Sequence, residues 1–212
     1  MSNCEETQII PEGNPEALEQ ACRFIRQGKL VVFPTDTLYG LACGPLNPAA
    51  LQAIYEAKGR PVNKAIPILI AEPAQLAGFV EPVSPRAQKV MHSFWPGALT
   101  IVLPKIDGLP EELTPYPGLA VRMPAHPFAL ALLKRCGPLA VTSANLSSHA
   151  NTRSAQDVYK DLKGRVSLII DGGKLPSQLG STIVDLSEDT PVLLREGPLA
   201  FTEFLRIWED AC

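Results

Sequence analysis

The sequence predicts an α/β fold: a single-domain, twisted mixed sheet with flanking helices. Three observations lead there. Short apolar runs alternate with helix-period segments for most of the chain. Several helix starts are marked by a polar residue followed by Pro, and several stops by Gly. Near the end two apolar runs, Thr182–Leu186 and Val192–Arg195, follow each other with no helix between them, so the sheet must be mixed. The chain has 212 residues, of which 46% are hydrophobic, enough for one core of generous size.

The elements follow in order. Residues 1–13 form a loose lead-in with a short strand at Thr7–Ile10, and residues 14–212 form the one domain. Asn14-Pro15-Glu16 caps a helix whose core face is Leu18, Ala21, Cys22 and Ile25, stopped by Gly28. Leu30–Phe33 is a buried strand, broken at Pro34 into the polar turn Thr35-Asp36-Thr37; a second strand begins near Gly40. Asn47-Pro48 opens the next helix, and Gly59 ends it. Ala65–Ile70 is a strand that Pro67 assigns to an edge or a bulge. Glu72–Phe79 is a short helix, and Ser84-Pro85 opens another. Ala98–Leu103 is a strand, followed by a Pro-rich loop, 104–118, long enough to be a lid. Leu119–Met123 is a strand, Pro127–Arg135 a helix, and Leu139–Thr142 a strand running into Ser143-Ala144-Asn145. Ser154 to Asp157 has capping-box spacing and opens a helix to Leu162. Val166–Ile170 is a strand and Phe201–Glu209 a terminal helix.

Composition excludes several classes. A net charge of −3 argues against a bulk electrostatic nucleic-acid binder, although a local basic patch is compatible with it. The five cysteines (4, 22, 43, 136 and 212) form no C-x-x-C pair, which fits a reducing cytoplasm better than a zinc site or disulfide framework. No basic-then-apolar start marks a secretory signal, and no apolar run reaches the roughly 18 residues of a membrane span. The expectation is a soluble cytoplasmic protein.

Some residues stand out chemically. Thr35-Asp36-Thr37 reads as an ordinary polar turn or as hydroxyls offered to a ligand; Gly40 just beyond favours close approach. Lys58 and Arg60 close a helix, where cations offset the dipole without any ligand. With Lys64 they make three cations in seven residues of an acidic chain, which suits an anion. Ser143 and Asn145 follow a strand directly, as a turn or as donors to phosphate or base edges. Arg122 lies inside an apolar strand and needs a carboxylate or phosphate to reach it; Arg195 poses the same question. His92, His126 and His149 show no metal spacing, and no Walker loop, G-x-S-x-G or H-E-x-x-H occurs. An enzyme built this way works by positioning groups and stabilising negative charge.

Taken together, PTDTLYGLA, AKGRP, FWPGALTIVLP, AVRMPAHP, VTSANLS, STIVDL and LLREG occur in the order found in YrdC-type threonylcarbamoyl-AMP synthases, which the chain resembles over roughly residues 15–200. The K-x-R and S-x-N signature stands as Lys58/Arg60 and Ser143/Asn145. The resemblance implies a YrdC-like fold of the short, single-domain type. It implies synthesis of L-threonylcarbamoyl-adenylate from L-threonine, bicarbonate and ATP, with Mg²⁺ carried by the nucleotide. A downstream threonylcarbamoyl transferase would then modify tRNA. Carried over by position, Thr37, Arg122 and Ser181 would hold threonine. Lys58, Arg60, Lys64, Ser143, Asn145, Asn151 and Arg195 would face the nucleotide, with Lys58, Arg60, Ser143 and Asn145 catalytic. Two positions depart from the family pattern: Lys64 where many relatives have Asn, and Ser148 where many have Gly. The alternative is an RNA- or nucleotide-binding module without catalysis.

Overall fold

The computed structural model of the chain describes residues 6–176 and 179–210. Residues 1–5 of the expected lead-in, and Cys4 and Cys212, lie outside the described residues. The ten strands among the described residues are β1 (Gln8–Pro11), β2 (Val31–Phe33), β3 (Gly40–Cys43), β4 (Ile68–Leu69), β5 (Leu99–Pro104), β6 (Gly118–Arg122), β7 (Leu139–Ser143), β8 (Leu168–Asp171), β9 (Thr182–Asp185) and β10 (Val192–Arg195). All belong to one mixed sheet, ordered β1-β8-β2-β3-β7-β4-β6-β5-β9-β10.

Among the described residues six α-helices flank it: α1 (Ala17–Arg26), α2 (Pro48–Lys58), α3 (Pro85–Phe94), α4 (Pro127–Cys136), α5 (Ala155–Leu162) and α6 (Phe201–Glu209). The period-2 alternation of the strands sorts side chains into two apolar layers. Val32, Leu41, Ile68 and Val121 pack under α2, α3, α5 and α6. Val31, Phe33, Ala42 and Leu69 pack under α1 and α4. Beyond α4 the second face carries polar residues. Arg122 pairs with Leu69 across β4–β6 and so shares its face. Thr100 stands opposite Arg122, one step beyond the Ile101–Val121 pair. This helix-free stretch of sheet holds one end of the site.

Local signals set most boundaries. Asn47 Oδ1 accepts the Ala50 N–H at 3.1 Å, Pro48 takes the first helical turn, and Gly59 closes α2 in the left-handed region at φ 58°. Ser154 Oγ accepts the Asp157 N–H at 3.2 Å, as the capping-box spacing requires.

Four expectations change. Asn14 caps a preceding turn, its Oδ1 accepting Glu16 N–H, and α1 starts at Ala17 instead. The strand expected over Ala65–Ile70 is only Ile68–Leu69, and it is central, between β7 and β6. Pro67 fits there because its carbonyl, not its missing N–H, makes the bond, accepting from Val141 N at 2.8 Å. The segment at Pro73–Gly78 is a 3₁₀ helix. Loop 104–118 is fastened down: Leu113 and Thr114 are fully buried, and Ile66 N donates to Leu113 O at 2.8 Å.

Candidate active site

The turn after β2 is built from its own hydroxyls. Thr35 Oγ1 donates to Leu38 O (2.6 Å) and accepts the N–H groups of Thr37 and Leu38. Its proton is thereby spent, so the Thr37 hydroxyl, 3.2 Å away, donates to it. Thr37 Oγ1 in turn accepts from Arg122 Nη1 at 2.7 Å. Arg122 is 6% exposed, and its guanidinium also donates to Gly97 O (2.9 Å) and to Asp36 Oδ1 (2.7 Å). The carboxylate that the sequence demanded for Arg122 is therefore Asp36, from the same turn.

Ser181 stands beside this cluster. Its hydroxyl lies 2.6 Å from Thr100 Oγ1. Arg195 wraps it, donating Nε and Nη2 to Ser181 O at 2.9 and 2.7 Å. Two glycines make room. A Cβ on Gly180 would sit 2.7 Å from Arg195 Nη2, and one on Gly197 would lie 2.3 Å from Thr182 N. Burial first, and then Arg122 nearby, push the Arg195 guanidinium below its ordinary value.

A second cluster forms where β7 ends. Ser143 Oγ donates to Asn145 Oδ1 at 2.6 Å, and Asn145 Nδ2 to His149 O at 2.8 Å. Lys58, 3% exposed, turns in from α2 and donates to Ser143 O, Asn145 O (2.5 Å) and Asn145 Oδ1 (3.4 Å). Burial, and then the neighbouring Arg60, push the Lys58 ammonium down to about 7, against the pull of Asp161. Arg60 Nη2 donates to Ala65 O at 2.9 Å, while its buried Nε has no hydrogen-bond partner among the described residues.

The sheet register measures the gap between the clusters. Arg122 pairs with Leu69, and Leu69 with Leu139, at the start of β7; Ser143 is at its end. Four residues of strand span about 13 Å. The site therefore includes more than one strand end. It stretches along the sheet, and the turn after β2 joins its ends: Thr37 meets Arg122, while Tyr39 O accepts the Ala144 N–H at 2.8 Å. Tyr39 itself is pinned, donating to Gly173 O at 2.6 Å and accepting Gly172 N–H. Two cations neighbour each other at each end, Lys58 with Arg60 and Arg122 with Arg195.

The structure thus brings Thr37, Arg122, Ser181 and Arg195 together, and Lys58, Arg60, Ser143 and Asn145 together. Arg195 sits with Ser181, not at the Ser143 end. Lys64 is exposed, and it is its carbonyl that makes contact, accepting from Tyr55 Oη at 3.0 Å. Asn151 is half-buried, one residue before Thr152, whose hydroxyl donates to Ala144 O. Sequence reasoning picked out Thr35 with its turn but missed Thr100, Gly180 and Gly197. Alternation along β5 marks Thr100 as facing away from Leu99 and Ile101; nothing local marks Gly197. Among the described residues no three of His, Cys, Asp and Glu cluster as a metal site.

Comparison with known proteins finds relatives over most of the chain. A family model for Sua5/YciO/YrdC, described as telomere recombination, matches residues 23–197. A Bacillus subtilis protein named threonylcarbamoyl-AMP synthase is 42% identical over 187 residues, covering 87% of this chain and 54% of that one. The structure of P. abyssi Sua5 complexed with L-threonine superposes with a TM-score of 0.87 at 40% identity, covering 96% of this chain and 59% of that one. E. coli YciO superposes with a TM-score of 0.84 at 29% identity, covering 94% and 99%. The chain spans little more than half the length of the first two proteins. With seven motifs in order, a site built from them and a match over most of its length, the chain belongs to the Sua5/YciO/YrdC family.

Proposed function

We propose that this chain, acting as one catalytic domain over residues 14–212, makes L-threonylcarbamoyl-adenylate from L-threonine, bicarbonate and ATP and releases pyrophosphate. The supporting observation is the two-ended site: one cluster of cations and hydroxyls beside Arg122 and another beside Ser143, joined by one hydroxyl-bearing turn. Amino acid and nucleotide are thereby held at the two ends of one elongated product.

The chemistry asks for little else. The threonine amine adds to bicarbonate and water leaves, giving an N-carboxylate. An oxygen of that carboxylate attacks the α-phosphorus of ATP, and pyrophosphate departs from the opposite side. The protein must gather anions and hold them in line, which needs fixed cations and aimed hydroxyls rather than a strong base. Thr37, Ser181, Arg195 and the Arg122 cluster take threonine. Arg60, Ser143 and Asn145 take the nucleotide, with Lys58 at the base of that end and Asn151 and Lys64 further out. The unpartnered Arg60 Nε–H is a donor suited to a phosphate oxygen. Mg²⁺ would arrive on the triphosphate and offset its charge there; the described residues gather no carboxylate cage for it. A transferase would consume the product on tRNA in the cytoplasm.

The test is pyrophosphate release from ATP with Mg²⁺. Release that requires both threonine and bicarbonate is expected. No release, or release indifferent to either, contradicts the assignment.

A further inference from the structure

We infer that Lys58 is a positioning residue rather than a phosphate ligand: it is the strut that locks the Ser143–Asn145 turn to the end of α2. The donor count leads there. A lysine ammonium has three N–H groups and no acceptor. Lys58 Nζ faces three oxygens, Ser143 O, Asn145 O and Asn145 Oδ1, so each hydrogen already has a partner. Lys58 is 3% exposed. The main chain completes the lock, Ser147 N donating to Lys58 O at 2.9 Å.

The consequence falls on Asn145. Its Oδ1 takes hydrogens from both Lys58 and Ser143 Oγ, which fixes which end of the amide is oxygen and sends Nδ2 to His149 O. The two signature motifs are therefore one interlocked piece. Arg60 is then the cation left for the nucleotide, with a buried Nε–H that nothing among the described residues satisfies. This division of labour rests on the nucleotide assignment made above, but the lock itself does not.

Two experiments separate those claims. The first is a thermal-melt cycle of Lys58→Met, Asn145→Ala and the double variant, without ligand. The strut predicts strong coupling: the double variant melts little below Lys58→Met alone. Additive losses overturn it. Lys58→Gln, which keeps two donors, serves if Lys58→Met does not fold; it should show the same coupling to Asn145→Ala. The second compares binding of adenosine and ATP by calorimetry. Lys58→Met should weaken both by the same factor, tenfold or more, because the whole turn loosens. Arg60→Ala should weaken ATP at least tenfold and leave adenosine unchanged. A Lys58→Met protein that keeps adenosine and loses only ATP would make Lys58 a phosphate ligand after all. Failure of the wild type to bind either compound refutes the nucleotide assignment, while the melt cycle still decides the strut.

Discussion

Replacing Arg122 with Met should both unfold the protein at lower temperature and damage the amino-acid end of the site. Three bonds disappear: to Gly97 O, to Thr37 Oγ1 and to the Asp36 carboxylate. The last is the expensive one. Asp36 is 17% exposed at its side chain and would be left without its partner. Removing one member of a buried ion pair costs about 3–5 kcal/mol, and the residual exposure of Asp36 places this case near the lower figure, about 3 kcal/mol. At about 2–4 °C per kcal/mol for a chain of this size, the melting temperature should fall by about 6–12 °C. Threonine KM should rise about tenfold or more, because Thr37 loses the donor that orients it. Calorimetric melts of Arg122→Met, Asp36→Asn and the double variant decide it. The double variant should be more stable than the sum of the two losses predicts, by about 1–2 kcal/mol. A fall below about 2 °C with an unchanged threonine KM would refute the reasoning.

Three further outcomes follow from other features. Gly197→Ala places a Cβ 2.3–2.6 Å from the backbone of Thr182, Gly180 and Ser181; it should displace the Ser181–Arg195 pair and raise threonine KM with little change in ATP KM, as steady-state kinetics would show. Ser148 holds φ at 73°, where a side chain costs about 1–2 kcal/mol. Ser148→Gly should therefore melt slightly higher, about 1–3 °C, and Ser148→Val clearly lower than wild type. The third concerns pH. With the Lys58 ammonium near 7, kcat/KM for ATP should decline as pH rises through about 7, since a neutral amine supplies two hydrogens for three acceptors. Stability moves the other way. The unfolded lysine keeps its proton up to about 10.5, so between about 7 and 10.5 the unfolded state binds more protons and this group's contribution to stability grows with pH. A flat rate profile from pH 6.5 to 8.5 would count against the strut's charge.

What could be read from the sequence was local. Asn47-Pro48, Gly59 and the Ser154 capping box are set by neighbours a few residues away, and each stands where the residues place it. The α/β class and mixed sheet followed from alternation of runs. What escaped depends on distant backbone. Pro67 marks an edge only if its nitrogen must pair; the sheet uses its carbonyl instead. Lys58 reads as an anion ligand because the acceptors that occupy it are main-chain carbonyls and an amide about 85 residues away, which no side-chain pattern reveals. The motifs named residues that lie at both ends of the candidate site, yet only the β-register shows that those ends are separated along the sheet. Ser148 was legible in a different way: the family's glycine position coincides with a left-handed backbone angle.

The central claim is that one pocket joins threonine, bicarbonate and the adenylyl group of ATP. Mass spectrometry of a reaction run with ¹³C-bicarbonate tests it most directly. The account predicts a threonylcarbamoyl-adenylate one mass unit heavier than its unlabelled counterpart, formed only when all three substrates are present. An unlabelled product, or a simple threonyl-adenylate in its place, would contradict it.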